Sequence, residues 1–343
     1  MKVSIRDVAK RAGVSVATVS RVINQSAGVK SSKEAAVREA MAYYDYHPSQ
    51  FARGLATGST QIIGVYSPFS RGTMFDEGYL LECLRGIDAV LSESQYSLLL
   101  ISESAAYDKN QSLPPKFLEY VKQKRIDGLI LLHVAEDERT RLALDKLLGE
   151  GFPIGYIGKR FHHQGFNVYA GYEAYRSEAL ERFYNNGHRE LLYMGTQLRR
   201  RDYHVTRKIM LDYPKFHIHM VELRRDMSMD QCKQIFEEYC IQKKCTAILC
   251  DNLQLLATGM MNILFRMGLR IPEDISIISV EHVENRGAQI FPPVNCYYVP
   301  AMQMGSTVAK KLITALECGS CKEPETVFTA EYKNRKTVKC LNE

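Results

Sequence analysis

Near the start of the chain the apolar positions Ile5, Val8, Ala9 and Ala12 recur at helical spacing, Gly13 interrupts them, and Val16, Val19, Val22 and Ile23 resume the period. The pattern predicts a helix, a tight turn and a second helix. Ser4 precedes Asp7 at the spacing of a capping box, and Ser15 opens the second helix with a hydroxyl that can accept from free backbone N–H groups. Ser31 and Glu34 repeat the box ahead of a third helix running to about Tyr44. Pro48 begins a short segment that gives way to a polar linker at residues 57–61, which marks a domain boundary.

From Ile62 onward short apolar runs alternate with helical patterns. Strands are predicted at 62–66, 97–101, 128–132 and 153–157, with helices near 78–92, 114–124 and 140–149. A polar stretch at 159–165 follows, and the alternation starts afresh. Helices near 172–185, 202–211, 229–239 and 255–267 then separate strands at 191–194, 217–223, 246–250 and 275–280, and a last strand is expected at 326–331. Such βαβ series build parallel sheets covered on both faces. The fold class is therefore a small all-α helix-turn-helix head plus an α/β body of two doubly wound parallel-sheet lobes, with a ligand cleft between them where strand ends meet.

At 343 residues and 45% hydrophobic, the chain can bury two or three cores. The longest uncharged apolar runs fall far short of the ~20 residues a membrane helix needs, and Met1-Lys2-Val3-Ser4-Ile5-Arg6-Asp7 has no hydrophobic signal core behind it, so a cytoplasmic protein is expected. Nine scattered cysteines read as reduced thiols, most of them core filler. The net charge of +6 is unevenly placed: residues 1–60 hold nine Lys/Arg against four acids, leaving +1 for the other 283. A basic module ahead of a near-neutral body suits a polyanionic partner for the module alone, although charge by itself fits a solvated basic face equally well.

The run Ser4-Ile5-Arg6-Asp7-Val8-Ala9-Lys10-Arg11-Ala12-Gly13-Val14-Ser15-Val16-Ala17-Thr18-Val19-Ser20-Arg21-Val22-Ile23-Asn24 closely resembles the DNA-binding signature of the LacI/GalR family of bacterial transcription regulators. Asn186-Gly187-His188-Arg189, Gly268-Leu269-Arg270-Ile271-Pro272-Glu273-Asp274-Ile275-Ser276, Phe291-Pro292-Pro293 and Met304-Gly305 extend the likeness through the body, which is similar to type I periplasmic binding proteins. The resemblance implies a DNA-binding head at 1–47, a hinge helix and linker at 48–61, and a two-lobed effector-binding and dimerisation domain at 62–343. The first lobe would comprise 62–160 and 292–325, the second 161–291 and 326–343.

It further implies a homodimer reading a pseudo-palindromic operator, with Ser15, Val16, Ala17, Thr18, Ser20, Arg21 and Asn24 at the DNA. Val16 and Ala17 suit thymine methyls, and Arg21 can reach guanine or phosphate. In the hinge, Arg53 would touch the DNA backbone and Leu55 would wedge a base step in the minor groove.

Family members sense small molecules, most often sugars, in the inter-lobe cleft. Arg207, Asn252 and Glu281 fall on effector-contacting positions, and a guanidinium, an amide and a carboxylate can hydrogen-bond vicinal hydroxyls. The cleft departs from the family at Gly158, at Gly171-Tyr172 and around Cys250-Asp251-Asn252-Leu253-Gln254. A sugar-responsive repressor is the leading expectation. A purine-responsive regulator of the same fold and a soluble sugar-binding protein without a DNA role are the alternatives.

No cofactor or enzyme motif is identified. No metal site is identified either. Cys318-Gly319-Ser320-Cys321 has no second pair in register, and His217 and His219 share a strand face but no further ligand is evident from sequence, so they read as surface histidines.

Overall fold

The computed structural model describes residues 3–23, 28–47, 59–70, 78–103, 107, 110, 112–132, 137–196, 198, 200–224, 227–319 and 323–341. Asn24, Arg53, Leu55 and the expected hinge helix lie outside the described residues.

The head consists of α1 (Ile5–Ala12), α2 (Val16–Ile23) and α3 (Ser31–Tyr43). The α1 capping box forms, with the Ser4 backbone N–H donating to Asp7 Oδ2 at 2.9 Å. Gly13 takes φ 63°, a left-handed conformation that only glycine adopts cheaply, and so turns the chain into α2. The second expected box does not form. Lys30 occupies the cap position of α3 without a side-chain hydrogen bond, and Glu34 turns along the helix to pair with Arg38 at 2.7 Å. Val8, Ala9, Val19, Val22, Val37 and Ala40 interlock as the head's own core.

The first lobe runs β1 (Ile62–Ser70), α4 (Gly78–Leu91), β2 (Ser97–Glu103), α5 (Phe117–Lys122), β3 (Gly128–Leu132), α6 (Glu138–Gly149), β4 (Ile154–Ile157) and β5 (Phe166–Ala170). The second runs α7 (Tyr172–Asn185), β6 (Glu190–Gly195), α8 (Arg200–Asp212), β7 (His217–Glu222) and α9 (Met229–Phe236), which passes into a π-helical turn at Glu237–Gln242. It continues with β8 (Ala247–Cys250) and the helical run α10, built of Leu253–Leu255, a π-helical turn at Leu256–Met260 and Met261–Arg266. After β9 (Ser276–Glu281) and β10 (Asn295–Tyr298) come α11 (Ala301–Cys318), β11 (Glu325–Phe328) and β12 (Glu331–Lys333).

The first sheet has the order β11-β5-β4-β3-β1-β2, all parallel. The second has the order β12-β10-β9-β8-β6-β7, parallel except for β12 against β10. Every residue of β3 and of β9 is buried, as strands covered on both faces require.

Sheet membership moves the expected lobe boundaries. The strands at Phe166–Ala170 and Glu325–Phe328 belong to the first sheet, and Asn295–Tyr298 belongs to the second. The crossings between lobes therefore fall after Ala170, Tyr298 and Phe328 rather than after 160, 291 and 325. Two of these strands escape the apolar pattern because each carries a buried asparagine. Asn167 donates to the carbonyls of His162 and Gly165 at 2.7 and 2.9 Å. Asn295 donates to the Tyr332 hydroxyl at 2.7 Å and accepts from the Arg335 N–H at 2.6 Å.

Helices α4 and α11 cross at glycines. A Cβ added to Gly86 would lie 1.9 Å from the Met302 carbonyl oxygen, and one added to Gly305 would lie 2.1 Å from that of Cys83. This close contact fixes α4, whose first turn faces the second lobe.

Candidate functional site: a reading helix and an inter-lobe cleft

In the head, α2 buries Val19 and Val22 and turns Val16, Ala17 and Arg21 outward, with Val16 41% exposed. Ser15 is the start of that helix: its Oγ accepts from the Thr18 N–H at 3.2 Å and lies 3.0 Å from the Thr18 Oγ1. Thr18 and Ser20 sit half-buried at the edges of the outward face. Behind α2, the Arg11 guanidinium stacks 3.2 Å from the centroid of the Tyr43 ring, tying α1 to α3.

In the body, a cavity of about 460 Å³ opens between the lobes. The first lobe contributes Gly78, Tyr79, Leu81 and Glu82 from the start of α4. The second contributes Tyr172, Tyr175 and Arg176 from α7, Thr196 beyond β6, Asp251 to Gln254 beyond β8, and Glu281, His282 and Val283 at the end of β9. Helix starts and the carboxyl ends of parallel strands thus converge on one space, where open α/β sheets place ligands.

Its aromatic wall is continuous. Tyr79 and Tyr172 meet edge-on at 6.4 Å, Tyr172 and Tyr175 at 5.7 Å, and Tyr79 and His282 at 5.0 Å between centroids. Arg176, 7% exposed, is its buried cation. Nη1 forms an ion pair with Asp202 Oδ1 at 3.1 Å, and neither Nη1 nor Nε has a hydrogen-bond partner among the described residues. Burial pulls the Arg176 pKa down, but Tyr175, Tyr193, Asp202 and Asp251 outweigh it, so the guanidinium is held charged. His282 is pushed the other way, to about 4, by burial and then by the nearby Arg176 charge against a backbone hydrogen bond at Val299, so a neutral imidazole faces the tyrosines. Asp251 Oδ1 accepts from the Thr196 N–H at 3.2 Å.

The structure brings Asn252 and Glu281 together on this cavity and leaves Arg207 out. Asn252 Oδ1 accepts from the Leu255 N–H at 2.9 Å, starting α10. Glu281 is buried with each carboxylate oxygen engaged, Oε1 by Arg335 Nη2 at 2.7 Å and Oε2 by the Gly287 N–H at 2.5 Å. Arg207 lies on the solvent face of α8, because that helix buries Asp202, Val205, Thr206 and Ile209, and one step of ~100° past Thr206 points outward. The cleft cation is Arg176 instead. Its signal was present in the sequence, since Tyr172, Tyr175 and Arg176 stand at i, i+3 and i+4 and share one helical face.

Such a molecule is a helix-turn-helix module coupled to a two-lobed α/β body of the periplasmic-binding-protein type. Residues 4–49 match "Bacterial regulatory proteins, lacI family" and residues 180–338 match "Periplasmic binding protein-like domain". The chain thus carries a head that matches the lacI family of regulators and a body that matches periplasmic-binding-protein-like domains.

Among its relatives, the HTH-type transcriptional regulator MalR of Streptococcus pneumoniae is 32% identical over 201 residues, a stretch that spans 57% of each chain. The HTH-type transcriptional repressor PurR of Vibrio atlanticus is 26% identical over 363 residues and 99% of both chains. In structure, the lac repressor dimer bound to operator and the anti-inducer ONPF superposes with a TM-score of 0.78 at 21% identity, covering 99% of this chain and 100% of that one. No helix of the described residues is long and apolar enough to cross a membrane.

Proposed function

We propose that this chain is a sequence-specific DNA-binding repressor of carbohydrate-utilisation genes, that it acts as a homodimer on a pseudo-palindromic operator, and that a carbohydrate in the inter-lobe cleft switches its hold on DNA. The observation that carries the reading is the division of α2 between a buried side, Val19 and Val22, and an outward side, Val16, Ala17 and Arg21, at the place where a recognition helix meets base edges.

The cleft supports a carbohydrate because apolar ring faces stack on tyrosines while Arg176, Asp251 and Asn252 offer donors and acceptors for neighbouring hydroxyls. Relatives named for sugars point the same way, among them the ribose operon repressor of Bacillus subtilis, 24% identical over 98% of both chains. Glu281 is read as bracing the cavity floor, since its oxygens are engaged by Arg335 and Gly287. The second reading is a purine effector. The full-length likeness to PurR favours it, and so does an aromatic wall able to stack a planar base.

Fluorescence anisotropy of a labelled duplex from upstream of the protein's own gene, against a scrambled duplex, tests both. Salt-sensitive, specific binding altered by one mono- or disaccharide, with the response lost in Arg176→Met, is expected. A response to purine bases alone would transfer the assignment to the second reading, and equal weak binding to both duplexes would remove the repressor role.

A further inference from the structure

Away from the cleft, three adjacent strands of the second sheet begin side by side in the order β8-β6-β7, and their first residues gather metal-binding side chains. Glu190 opens β6, His217 and His219 lie on one face of β7, and Cys245 immediately precedes Thr246 and β8. One ligand atom each from Glu190, His219 and Cys245 lies within 4.8 Å of the other two. The Glu190 carboxylate is shared between two imidazoles, Oε2 with His219 Nε2 at 2.8 Å and Oε1 with His217 Nδ1 at 2.5 Å.

We propose that Glu190, His219 and Cys245 form a transition-metal site, best matched to Zn²⁺, with His217 orienting the carboxylate from its other oxygen and water completing the coordination.

The donor set of one carboxylate oxygen, one imidazole nitrogen and one sulfur is that of zinc, whose tetrahedral bonds of about 2.0–2.3 Å put ligand atoms roughly 3.3–3.8 Å apart. Reaching that geometry needs the Glu190–His219 contact to open slightly and the sulfur to close by at most about an ångström from the 4.8 Å bound. The surroundings hold these groups in place. The Cys245 N–H donates to the Tyr239 carbonyl at 2.9 Å, and the Tyr239 ring, set by the π-helical turn, lies 5.5 Å from that of His219. π-Helical turns inside helices recur at functional sites.

Cys245 is 1% exposed, so its sulfur lies inside the lobe beneath the part-exposed Glu190 and His219. The thiol gives its proton to solvent as the metal–sulfur bond forms, and the cation compensates the negative charge left on sulfur. His219 and Glu190 are part-exposed and His217 is exposed, leaving a path for the ion from solvent.

The test uses the full chain, reduced and stripped with chelator. Calorimetric titration with Zn²⁺ is expected to give one ion per chain, and Co²⁺ to give a near-ultraviolet thiolate-to-cobalt band. Cys245→Ser should remove that band. His219→Gln, at a part-exposed position that does not endanger the fold, should lower zinc affinity by more than about 100-fold, and His217→Gln by about 10- to 100-fold. His163→Gln, in the separate His162–His163 pair stacked at 4.3 Å, should change nothing. Zinc binding that survives His219→Gln, cobalt binding without a thiolate band, or no stoichiometric binding at all would overturn the site.

Discussion

Removing the Arg335 guanidinium by Arg335→Met should expose how the cleft floor is built. Glu281 has 0% of its side chain exposed and Arg335 10%, so their 2.7 Å contact is a buried ion pair. The same guanidinium donates to the Val294 carbonyl at 2.8 Å, and the second Glu281 oxygen takes the Gly287 N–H. Breaking such a pair by deleting one partner leaves a charge in a dry site and costs about 3–5 kcal/mol, whereas replacing both partners is far milder. Arg335→Met should therefore destabilise by about 4 kcal/mol, and Glu281→Gln combined with Arg335→Met should recover at least half of that, because a glutamine oxygen can still accept from Gly287.

Urea unfolding followed by circular dichroism at one fixed protein concentration measures it. With a slope of about 2 kcal/mol per molar, the single variant's midpoint should fall by about 2 M. A loss under about 1 kcal/mol for Arg335→Met, or a double variant no more stable than the single one, would refute the reasoning. The same double variant separates a brace from a ligand contact. If Glu281 only shapes the floor, effector affinity stays within a few-fold of the parent, and a fall of tenfold or more would make its carboxylate an effector contact.

Arg21→Ala should weaken binding to the specific duplex by about 1–3 kcal/mol while barely moving the scrambled one, read by anisotropy at fixed salt. His188, 1% exposed and pushed down to about 4 by burial, should make the protein lose stability as pH falls. A histidine whose folded pKa lies below its unfolded one takes up its proton more readily when unfolded, so up to about 3 kcal/mol present above pH 6.5 disappears between there and about pH 4. His188→Gln should flatten that part of the acid-unfolding profile, and an unchanged profile would assign the acid sensitivity elsewhere. Asp127→Asn should loosen the residues that lead into β1, shrinking the effector-induced change in DNA affinity while leaving effector binding within a few-fold, as measured by anisotropy and calorimetry on the same preparation.

The head was legible in detail because its signals are local: a 3.6-residue apolar period, a glycine at the turn and a serine at the cap. Even there, Ser31 and Glu34 misled, since Glu34 has a competing partner one turn along in Arg38. In the body the largely apolar strands at 128–132 and 275–280 announced themselves, while β5 and β10 did not. Their asparagines are buried and satisfied by loops and turns that only the folded chain supplies.

The cleft was harder for the same reason. Asn252 and Glu281 fall on the ends of strands that periodicity already located, but the cation came from α7 rather than α8. What distinguishes Arg176 from Arg207 is burial against Asp202, a contact between two helices. Likewise only the sheet order places Glu190 and Cys245 beside His219, which spacing along the chain does not show.

That order also says how a ligand can reach the head. The chain crosses between lobes after β5, β10 and β11, so three short connections join the lobes, the arrangement that a hinge requires. The cavity is lined by Tyr79 and Glu82 on the first lobe and Arg176 and Asp251 on the second, so the proposed effector would bridge the two. Such an effector would bind one lobe angle better than another, and that difference would be all the energy it could contribute to the proposed switch. On the first lobe, α4 is locked to α11 through Gly86 and Gly305, so the lobe moves as a body. Its other end holds the approach to the head. Asp127 accepts from the Ser59 hydroxyl at 2.6 Å, the Thr60 N–H at 2.8 Å and the Gln61 N–H at 2.7 Å, fastening those residues just before β1. In the proposed homodimer, a change in lobe angle would shift two such anchor points relative to one another, and the distance between them sets whether both heads can sit on their half-sites together.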